Sequence, residues 1–445
     1  MSKLIEQSGI NKIPDAERHG TASSIFPIWW NAYMKFPTVA VGAIPVLLFH
    51  LGVLDALIAI AVANLIGAAI IGVISTYGPV FGVPQMIHSR GPFGYSGNIF
   101  PVSMSAITGF SWFAINTVLA TEATVLVLGI NFYVAAVSIV VVQMLVAVFG
   151  YKTISHFQKY SSLLMSLLFA VLTAYFFIAP SHQIYVGKVS TMGTDWAMVA
   201  TASIAFSMIM SWMPCASDYT RYLPTKTPRG SVFLSVFSST ALSTIWLESI
   251  GALISTSYHI LTPINLLSMV FPGQLIAISM VVLIMGTVAT NSMNVYSTSL
   301  SMMIAGIPIK RWVSAMIAAV AGGAIVVIIG KSNMISSMES LLTMMGVWIS
   351  PWLAIVLVDF FLVAKTDRDD NRFRTKSGFR YGFIAWAVGV ATSLLFVNAS
   401  IGGARFVGVV AMLYPYLSPF VYPVGFLFAG VVSVLLGTRH MARNR

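Results

Sequence analysis

Two prolines and a lysine interrupt the first long apolar run of this sequence, which reads Met34-Lys35-Phe36-Pro37-Thr38-Val39-Ala40-Val41-Gly42-Ala43-Ile44-Pro45. Proline removes a backbone donor, and lipid tolerates the freed groups only where they face protein or a cavity. A similar interruption, Ser211-Trp212-Met213-Pro214-Cys215-Ala216-Ser217, comes five apolar runs later. Broken helices at corresponding positions of two halves predict a transporter built from two inverted five-helix repeats, although two ordinary proline kinks would give the same pattern.

The composition around these stretches predicts an all-α polytopic membrane protein. Of the 445 residues, 58% are hydrophobic and only 8% are charged, whereas a soluble domain carries about 25% charged residues. The apolar runs are long enough for transmembrane helices, which need about 20 residues each. The chain has one cysteine, Cys215, so an intramolecular disulfide is excluded.

Hydropathy predicts twelve spans, each with boundaries uncertain by a few residues. We expect a cytoplasmic N-terminal segment at 1–25, a transmembrane domain at 26–437 and a cytoplasmic tail at 438–445. Within the domain, the first repeat covers about 26–180 and the second about 194–364, and two extra helices cover about 380–437. The spans lie near 26–49, 53–77, 97–128, 131–150, 159–180, 194–215, 230–256, 273–304, 311–330, 338–364, 380–398 and 415–437.

The positive charge predicts the orientation. The net charge is +11, and most of the 24 lysines and arginines fall between spans on one side of the predicted membrane. Because basic loops stay in the cytoplasm, this pattern predicts a multi-pass protein of the cell membrane with both termini cytoplasmic. The bilayer is thus the expected partner. The basic residues do not indicate nucleic-acid binding, and no obligate protein partner is evident.

Features of enzymes are not found in the sequence. The seven histidines are scattered over loops and span ends without metal-ligand spacing, and there is no phosphate-binding loop. We therefore expect neither catalysis nor ATP-driven transport, and no cofactor beyond a coupling ion.

Polar residues at membrane depth are costly and are candidates for function. Trp112 and Asn116 are four residues apart in the third span, so they share a helix face that suits a flat, hydrogen-bonding heterocycle. A core tryptophan beside an asparagine that bonds a neighbouring helix is an equal alternative.

Glu122 and Glu248 lie inside spans, where a carboxylate indicates proton handling or an ion pair with Lys35. Span eight is the most polar, with Thr287-Val288-Ala289-Thr290-Asn291-Ser292-Met293-Asn294-Val295-Tyr296-Ser297-Thr298.

Four motifs are spread over nearly the whole chain. They are the loop from Gly82-Val83-Pro84-Gln85 to Arg90-Gly91-Pro92-Phe93-Gly94-Tyr95-Ser96-Gly97, the loop Ser217-Asp218-Tyr219-Thr220-Arg221-Tyr222, the segment from Thr290-Asn291 to Tyr296, and Asp359-Phe360-Phe361. Together they resemble the nucleobase:cation symporter-1 family, in particular its purine-cytosine permease branch. The resemblance implies a LeuT-type fold of ten core helices plus two, and symport of a nucleobase or related ring with Na⁺ or H⁺.

The resemblance also implies a substrate site. Trp112 matches a tryptophan that stacks on the substrate, and Asn116 falls where some members have a substrate-binding glutamine. Gly109 stands where the cytosine permeases carry a glutamine. The break in helix six runs through Met208-Ile209-Met210-Ser211-Trp212, where Ser211 and backbone groups face the substrate and Ile209 or Trp212 takes the place of an aromatic residue. The amides of helix eight that read the ring edge are Asn291 and Asn294.

A cation site is implied as well. The family's Na⁺ ligands correspond to carbonyl groups at about Tyr33 and Phe36 and to groups at Gly286, Ala289 and Thr290. Ala289 lacks the hydroxyl that a hard cation would use. Na⁺ and H⁺ coupling therefore both stay open, with Lys35, Glu122 and Glu248 as coupling candidates.

Lys35 has two interpretations. It lies roughly 12 Å into the first span at about 1.5 Å per residue, so its side chain can snorkel to the cytoplasmic interface. Alternatively, its ammonium borders the cation site and carries the coupling proton.

The expected function is import of a purine, a cytosine- or uracil-like ring, or an allantoin- or hydantoin-like ring by cation symport and alternating access. Two alternatives are an amino-acid permease on the same fold and an uncoupled uniporter or pore.

Overall fold

The computed structural model describes residues 9–149, 151–178, 193–257, 263–329, 334–363, 373, 377–401 and 404–443. Helices dominate this part of the chain. In the first half they are α1 (Phe26–Tyr33), α2 (Phe36–Leu47), α3 (Val53–Ser75), α4 (Tyr77–Phe81), α5 (Gln85–His88), α6 (Arg90–Gly97), α7 (Ile99–Leu128), α8 (Phe132–Phe149) and α9 (Tyr151–Ile178).

The second half repeats this arrangement of long helices and then adds a C-terminal pair. Its helices are α10 (Thr194–Met210), α11 (Ala216–Thr220), α12 (Arg229–Ser255), α13 (Pro263–Val270), α14 (Leu275–Ile304), α15 (Arg311–Ile329), α16 (Met334–Val358), α17 (Tyr381–Phe396), α18 (Val409–Leu413) and α19 (Val421–Arg443). Helix α19 thus continues into the segment predicted as the cytoplasmic tail.

Long apolar helices coincide with the predicted spans. Eight helical segments of the described residues are long and apolar enough to cross a membrane, and the shorter apolar helices Phe36–Leu47, Phe132–Val148, Trp312–Val326 and Tyr381–Phe396 lie at the remaining spans. Large apolar side chains such as Leu54, Leu163 and Leu427 are exposed on the outside of the bundle, as lipid-facing residues are. The polytopic helical class is confirmed. That all twelve helices cross the membrane stays a prediction.

The two proline-containing stretches break their helices, as predicted. Helix α1 ends at Tyr33, and Lys35 is extended (φ −148°, ψ 157°) before α2 begins at Phe36. Helix α10 ends at Met210 and is followed by a single 3₁₀ turn, Met213–Cys215, before α11. Non-helical backbone therefore lies inside the bundle at both places.

Equivalent helices of the two repeats pack on each other. Helix α3 packs on α12, α7 on α14 and α8 on α15, and α2 also packs along α12. The result is one group formed by α2, α3, α10 and α12 and a second formed by α7, α8, α14 and α15. Pairing of equivalent helices is the arrangement expected for inverted repeats around a central site.

A short β-hairpin, which the sequence did not predict, adds to this helical fold near the C-terminus. Strands β1 (Asn398–Ile401) and β2 (Ala404–Val407) pair antiparallel, with Asn398 opposite Val407. These residues lie between the last two predicted spans, and backbone pairing satisfies polar groups of both strands.

Two glycines let α2 and α12 approach at backbone distance. A Cβ atom added to Gly42 would overlap the backbone of Glu248, and one added to Gly251 would overlap the carbonyl of Val39. Small residues at helix crossings are how membrane helices gain van der Waals contact, because lipid offers no hydrophobic driving force between them.

We expect Gly251→Leu to destabilise the protein by more than the roughly 1–3 kcal/mol of ordinary overpacking, because its neighbour is backbone and cannot rotate away. The measurement is the melting temperature of the detergent-solubilised protein by size-exclusion chromatography. Gly230→Leu, on the same helix, is the matched control because nothing lies within 4 Å of a Cβ there. Equal melting of Gly251→Leu and the parent would contradict this packing argument.

Candidate functional site

A cavity lies between α7, α14 and the break after α10. The empty space among its lining residues is about 320 Å³, part of which is open to solvent. Among the described residues, its walls are hydroxyls, one amide, one thiol and two indole rings, and carry no carboxylate. The lining residues are Ser105, Thr108, Gly109, Trp112, Ser211, Trp212, Cys215, Asn294, Ser297 and Thr298.

Two tryptophans form the aromatic part of the wall. Trp112 and Trp212 are each only 2% exposed, and the ring of Trp29 contacts Trp212 edge-on with 6.2 Å between ring centroids. Neither wall tryptophan has a hydrogen-bond partner for its indole Nε1 within the described residues. Both buried donors thus belong to residues of the cavity wall, and neither is matched by an acceptor of the described chain.

The side chain of Lys35 lies between these two rings. Its Nζ is 4.4 Å from the ring centroid of Trp112 and 5.4 Å from that of Trp212. The residue is 2% exposed, so the side chain does not snorkel to the interface in this conformation. Sequence analysis placed Lys35 near the cation site, whereas the structure places its ammonium against the tryptophans of the cavity.

The asparagines predicted to read a substrate edge bond each other. Asn291 Oδ1 accepts from Asn116 Nδ2 at 3.0 Å and from Asn294 Nδ2 at 2.9 Å. Asn291 Nδ2 in turn donates to the carbonyl of Phe113 and to Thr117 Oγ1, at 3.0 Å each. Of the three asparagines, only Asn294 lines the cavity. Asn116 therefore has the interhelical role that the sequence left open as an alternative.

The remaining predicted substrate residues divide into two groups. Ser211 and Gly109 line the cavity, and Ser211 Oγ donates to the carbonyl of Met208 at 2.8 Å. A side chain at Gly109 would collide with Thr298 of α14, which explains why this position is a glycine here. Ile209 instead packs against Gly67 of α3 and is not part of the cavity wall. Trp212, and not Ile209, supplies the aromatic ring at the break.

Carbonyl oxygens of the candidate cation site accept hydrogen bonds from side chains of the protein. The carbonyl of Tyr33 accepts from Thr38 Oγ1 (2.6 Å), and the carbonyl of Gly286 accepts from Thr290 Oγ1 (3.1 Å). Phe36, buried at the start of α2, contributes no side-chain oxygen.

A glutamine of α9 completes this network. Gln158 Nε2 donates to the carbonyl of Ala289 at 2.7 Å, and Gln158 Oε1 accepts from Asn31 Nδ2 of α1. A sodium ion needs several oxygens that are free to coordinate it. The carbonyl oxygens of Tyr33, Gly286 and Ala289 already accept from amide or hydroxyl donors, and Ala289 offers no hydroxyl, so few oxygens are left to coordinate Na⁺.

The two acidic coupling candidates have different surroundings. Glu248 of α12 is fully buried, and its Oε2 accepts from Asn64 Nδ2 of α3 at 2.6 Å. Its Oε1 has no hydrogen-bond partner among the described residues. Glu122 is half-buried on α7, one and a half turns beyond Asn116. The structure does not pair either carboxylate with Lys35 Nζ, which has no hydrogen-bond partner in the described chain.

Two sequence motifs meet at one end of the bundle. Ser217 Oγ donates to Gln85 Oε1 at 2.7 Å, and the backbone N–H of Gln85 donates to Asp218 Oδ1 at 3.0 Å. Arg221 is buried and donates to the hydroxyl of Tyr296 at 2.7 Å. These residues join the loop after α4, the loop after α10 and helix α14, so they position the broken helix against α14.

Some residues of the site were missed by the sequence analysis. Gln158 is a polar residue in an apolar helix, a usable signal, but the span had been predicted to begin just after it. Ser105, Thr108 and Cys215 gave no signal that separates a cavity wall from ordinary packing. Only the folded positions of α7 and α14 bring these side chains together.

Comparison with known proteins identifies relatives of the whole chain. The family model for permeases for cytosine/purines, uracil, thiamine and allantoin matches residues 12–425. YxlA of Bacillus subtilis, which carries the name of a purine-cytosine permease, is 29% identical over 92% of this chain and 91% of its own length. The purine-cytosine permease fcyB of Emericella nidulans is 25% identical over 80% of this chain and 73% of its own.

A solved structure shows the same fold. Mhp1, a nucleobase-cation-symport-1 family transporter solved in a closed conformation with bromovinylhydantoin bound, superposes with a TM-score of 0.77 at 16% identity. The match covers 99% of this chain and 96% of that one. The helical arrangement described above is therefore that of a LeuT-type transporter.

Proposed function

We propose that this chain, which belongs to the family of permeases for cytosine/purines, uracil, thiamine and allantoin, is a secondary-active transporter. Its expected substrate is a small heterocycle, which it imports. Import proceeds by cation symport and alternating access, in which one group of helices rocks against the other around the central cavity. The chain lies in the cell membrane with both termini in the cytoplasm, as the distribution of basic residues predicts.

The observation that carries this proposal is the wall of the cavity. Trp112 and Trp212 border a space beside the break after α10, and the indole N–H groups of both lack partners in the described chain. A flat heterocycle can stack on one such ring and accept from the N–H group of the other. Asn294, Ser297 and Thr298 offer further polar groups on the α14 side.

The coupling ion that we propose is H⁺. Gln158 of α9 donates to the carbonyl of Ala289, so this bond links α9 and α14 without an ion, and Thr290 donates to the carbonyl of Gly286 within α14. Both carbonyls belong to positions of the candidate Na⁺ site. A buried carboxylate, Glu248, lies beside α2 and could carry a proton through the transport cycle. Ionisable residues inside a membrane protein commonly serve as such proton relays.

Uptake by proteoliposomes tests this function. With radiolabelled uracil, hypoxanthine, allantoin and hydantoin supplied one at a time, we expect an inward H⁺ gradient to drive accumulation of at least one ring, and an inward Na⁺ gradient at constant pH to add nothing. A set of amino acids in excess should not compete.

Three results would contradict the proposal. Accumulation driven only by Na⁺ would exclude H⁺ coupling. Uptake that merely equilibrates and ignores both gradients would indicate a uniporter or pore. Competition by amino acids but by none of the rings would indicate an amino-acid permease.

A further inference from the structure

The ammonium of Lys35 lies over the rings of Trp112 and Trp212, the two tryptophans that line the cavity. The residue is 2% exposed, and its Nζ lacks a hydrogen-bond partner among the described residues. Contact with indole faces attracts a cation, but it replaces only part of the water that a buried ammonium loses. A buried charge of this kind normally has an oppositely charged partner.

Within the described chain, the protein supplies no such partner. The cavity wall carries hydroxyls and an amide but no carboxylate. Glu248, an acid on helix α12, bonds Asn64 and lies beside Gly42 of α2, and Lys35 Nζ has no hydrogen bond to it.

The other free polar groups at this place are also donors. The indole N–H groups of Trp112 and Trp212 have no acceptor in the described chain. Helix α2 begins at Phe36, directly after Lys35, and the N-terminal end of a helix carries the positive end of its dipole. An ammonium, two N–H donors without partners and the N-terminal end of a helix therefore lie close together, and each favours an acceptor or a negative charge.

We propose that the transported heterocycle is an anion, with a ring carboxylate or an ionised ring nitrogen that pairs with Lys35 between Trp112 and Trp212. This inference rests on the proposed function and names the substrate class of the same cavity. The ring stacks on the indoles, and its negative group replaces the missing partner of the ammonium. A neutral ring of the same shape leaves that ammonium unpaired and binds more weakly.

Pairs of similar rings, one charged and one neutral, test whether the site prefers an anionic ligand. Orotate differs from uracil, and nicotinate from nicotinamide, in carrying a ring carboxylate, whereas urate carries an ionised ring nitrogen that hypoxanthine lacks. Dissociation constants are measured on the purified full-length protein by thermal shift at neutral pH, since a ligand that binds the folded state raises the melting temperature according to its affinity. We expect the charged member of at least one pair to bind on the order of ten- to a hundredfold more tightly, the size of a hydrogen bond to a charged group.

Variants of Lys35 then test whether this residue causes the preference for a charged ligand. Lys35→Met keeps the length of the side chain and removes the charge, so it should abolish the preference for the charged member of each pair. Lys35→Arg keeps the charge and should retain the preference. The comparison of ligands on the parent protein needs no variant, so the proposal stays testable if Lys35→Met fails to fold.

The outcomes separate this inference from the function on which it rests. If the parent protein binds uracil, nicotinamide or hypoxanthine as tightly as the charged partner in every pair, the anionic substrate is excluded but heterocycle transport stands. A charge preference that survives in folded Lys35→Met excludes Lys35 as the pairing group. If no heterocycle of either charge binds, the proposed function itself fails, and the inference fails with it.

Discussion

Replacement of Trp112 by alanine is expected to weaken substrate binding about ten- to a hundredfold. Stacking of a ring on an aromatic side chain is worth roughly 1–3 kcal/mol in nucleic-acid sites, and each 1.4 kcal/mol or so is a factor of ten in affinity. Trp112 lines the cavity, and its ring is also one of the two that contact the Lys35 ammonium. The measurement is the dissociation constant of the best ligand from the uptake screen.

Two variants separate stacking from packing. Trp112→Phe keeps an aromatic face and should retain most of the affinity. Trp352→Ala removes an equally buried tryptophan that bonds Ser89 away from the cavity, so it should lower the melting temperature without changing the affinity of the remaining folded protein. A folded Trp112→Ala protein with parental affinity would show that Trp112 is a packing residue.

The second large effect concerns coupling. Glu248→Gln is expected to abolish accumulation driven by the H⁺ gradient, so that the internal substrate concentration no longer exceeds the external one. The amide keeps the shape and can still bond Asn64 across the interface of α3 and α12, but it cannot bind and release a proton. Binding of the substrate and its exchange across the membrane should persist, because Glu248 is not part of the cavity wall.

Exchange is therefore the internal control for folding. Proteoliposomes loaded with unlabelled substrate should still take up labelled substrate through the Glu248→Gln protein. Glu122→Gln is the matched comparison, since it changes a half-buried carboxylate on α7, and we expect it to accumulate substrate like the parent. Loss of accumulation in Glu122→Gln together with normal accumulation in Glu248→Gln would show that Glu122 on α7, and not Glu248, carries the proton.

The local features of this protein could be predicted from its sequence. Pro37 and Pro214 lie at the two helix breaks, because proline lacks a backbone donor and is tolerated best in the first turn of a helix. Pro45 lies inside α2 without ending it. The long apolar runs predicted the helical spans, because each must be apolar along its own length to face lipid. The short hairpin Asn398–Val407 was missed, since a brief apolar stretch does not distinguish a strand from the end of a span.

Within the candidate site, the sequence determined which residues are unusual at membrane depth, among them Trp112, Asn116, Asn291 and Lys35. Tertiary structure decided which groups these residues meet. It turned Asn116 toward Asn291, bonded Gln158 to the carbonyl of Ala289, and set Lys35 between two indole rings. Hydropathy and proline act on one helix at a time, whereas a hydrogen bond or a cation–π contact between helices depends on how segments far apart in the chain pack. The helices follow from the sequence alone, and the chemistry of the cavity follows from their packing.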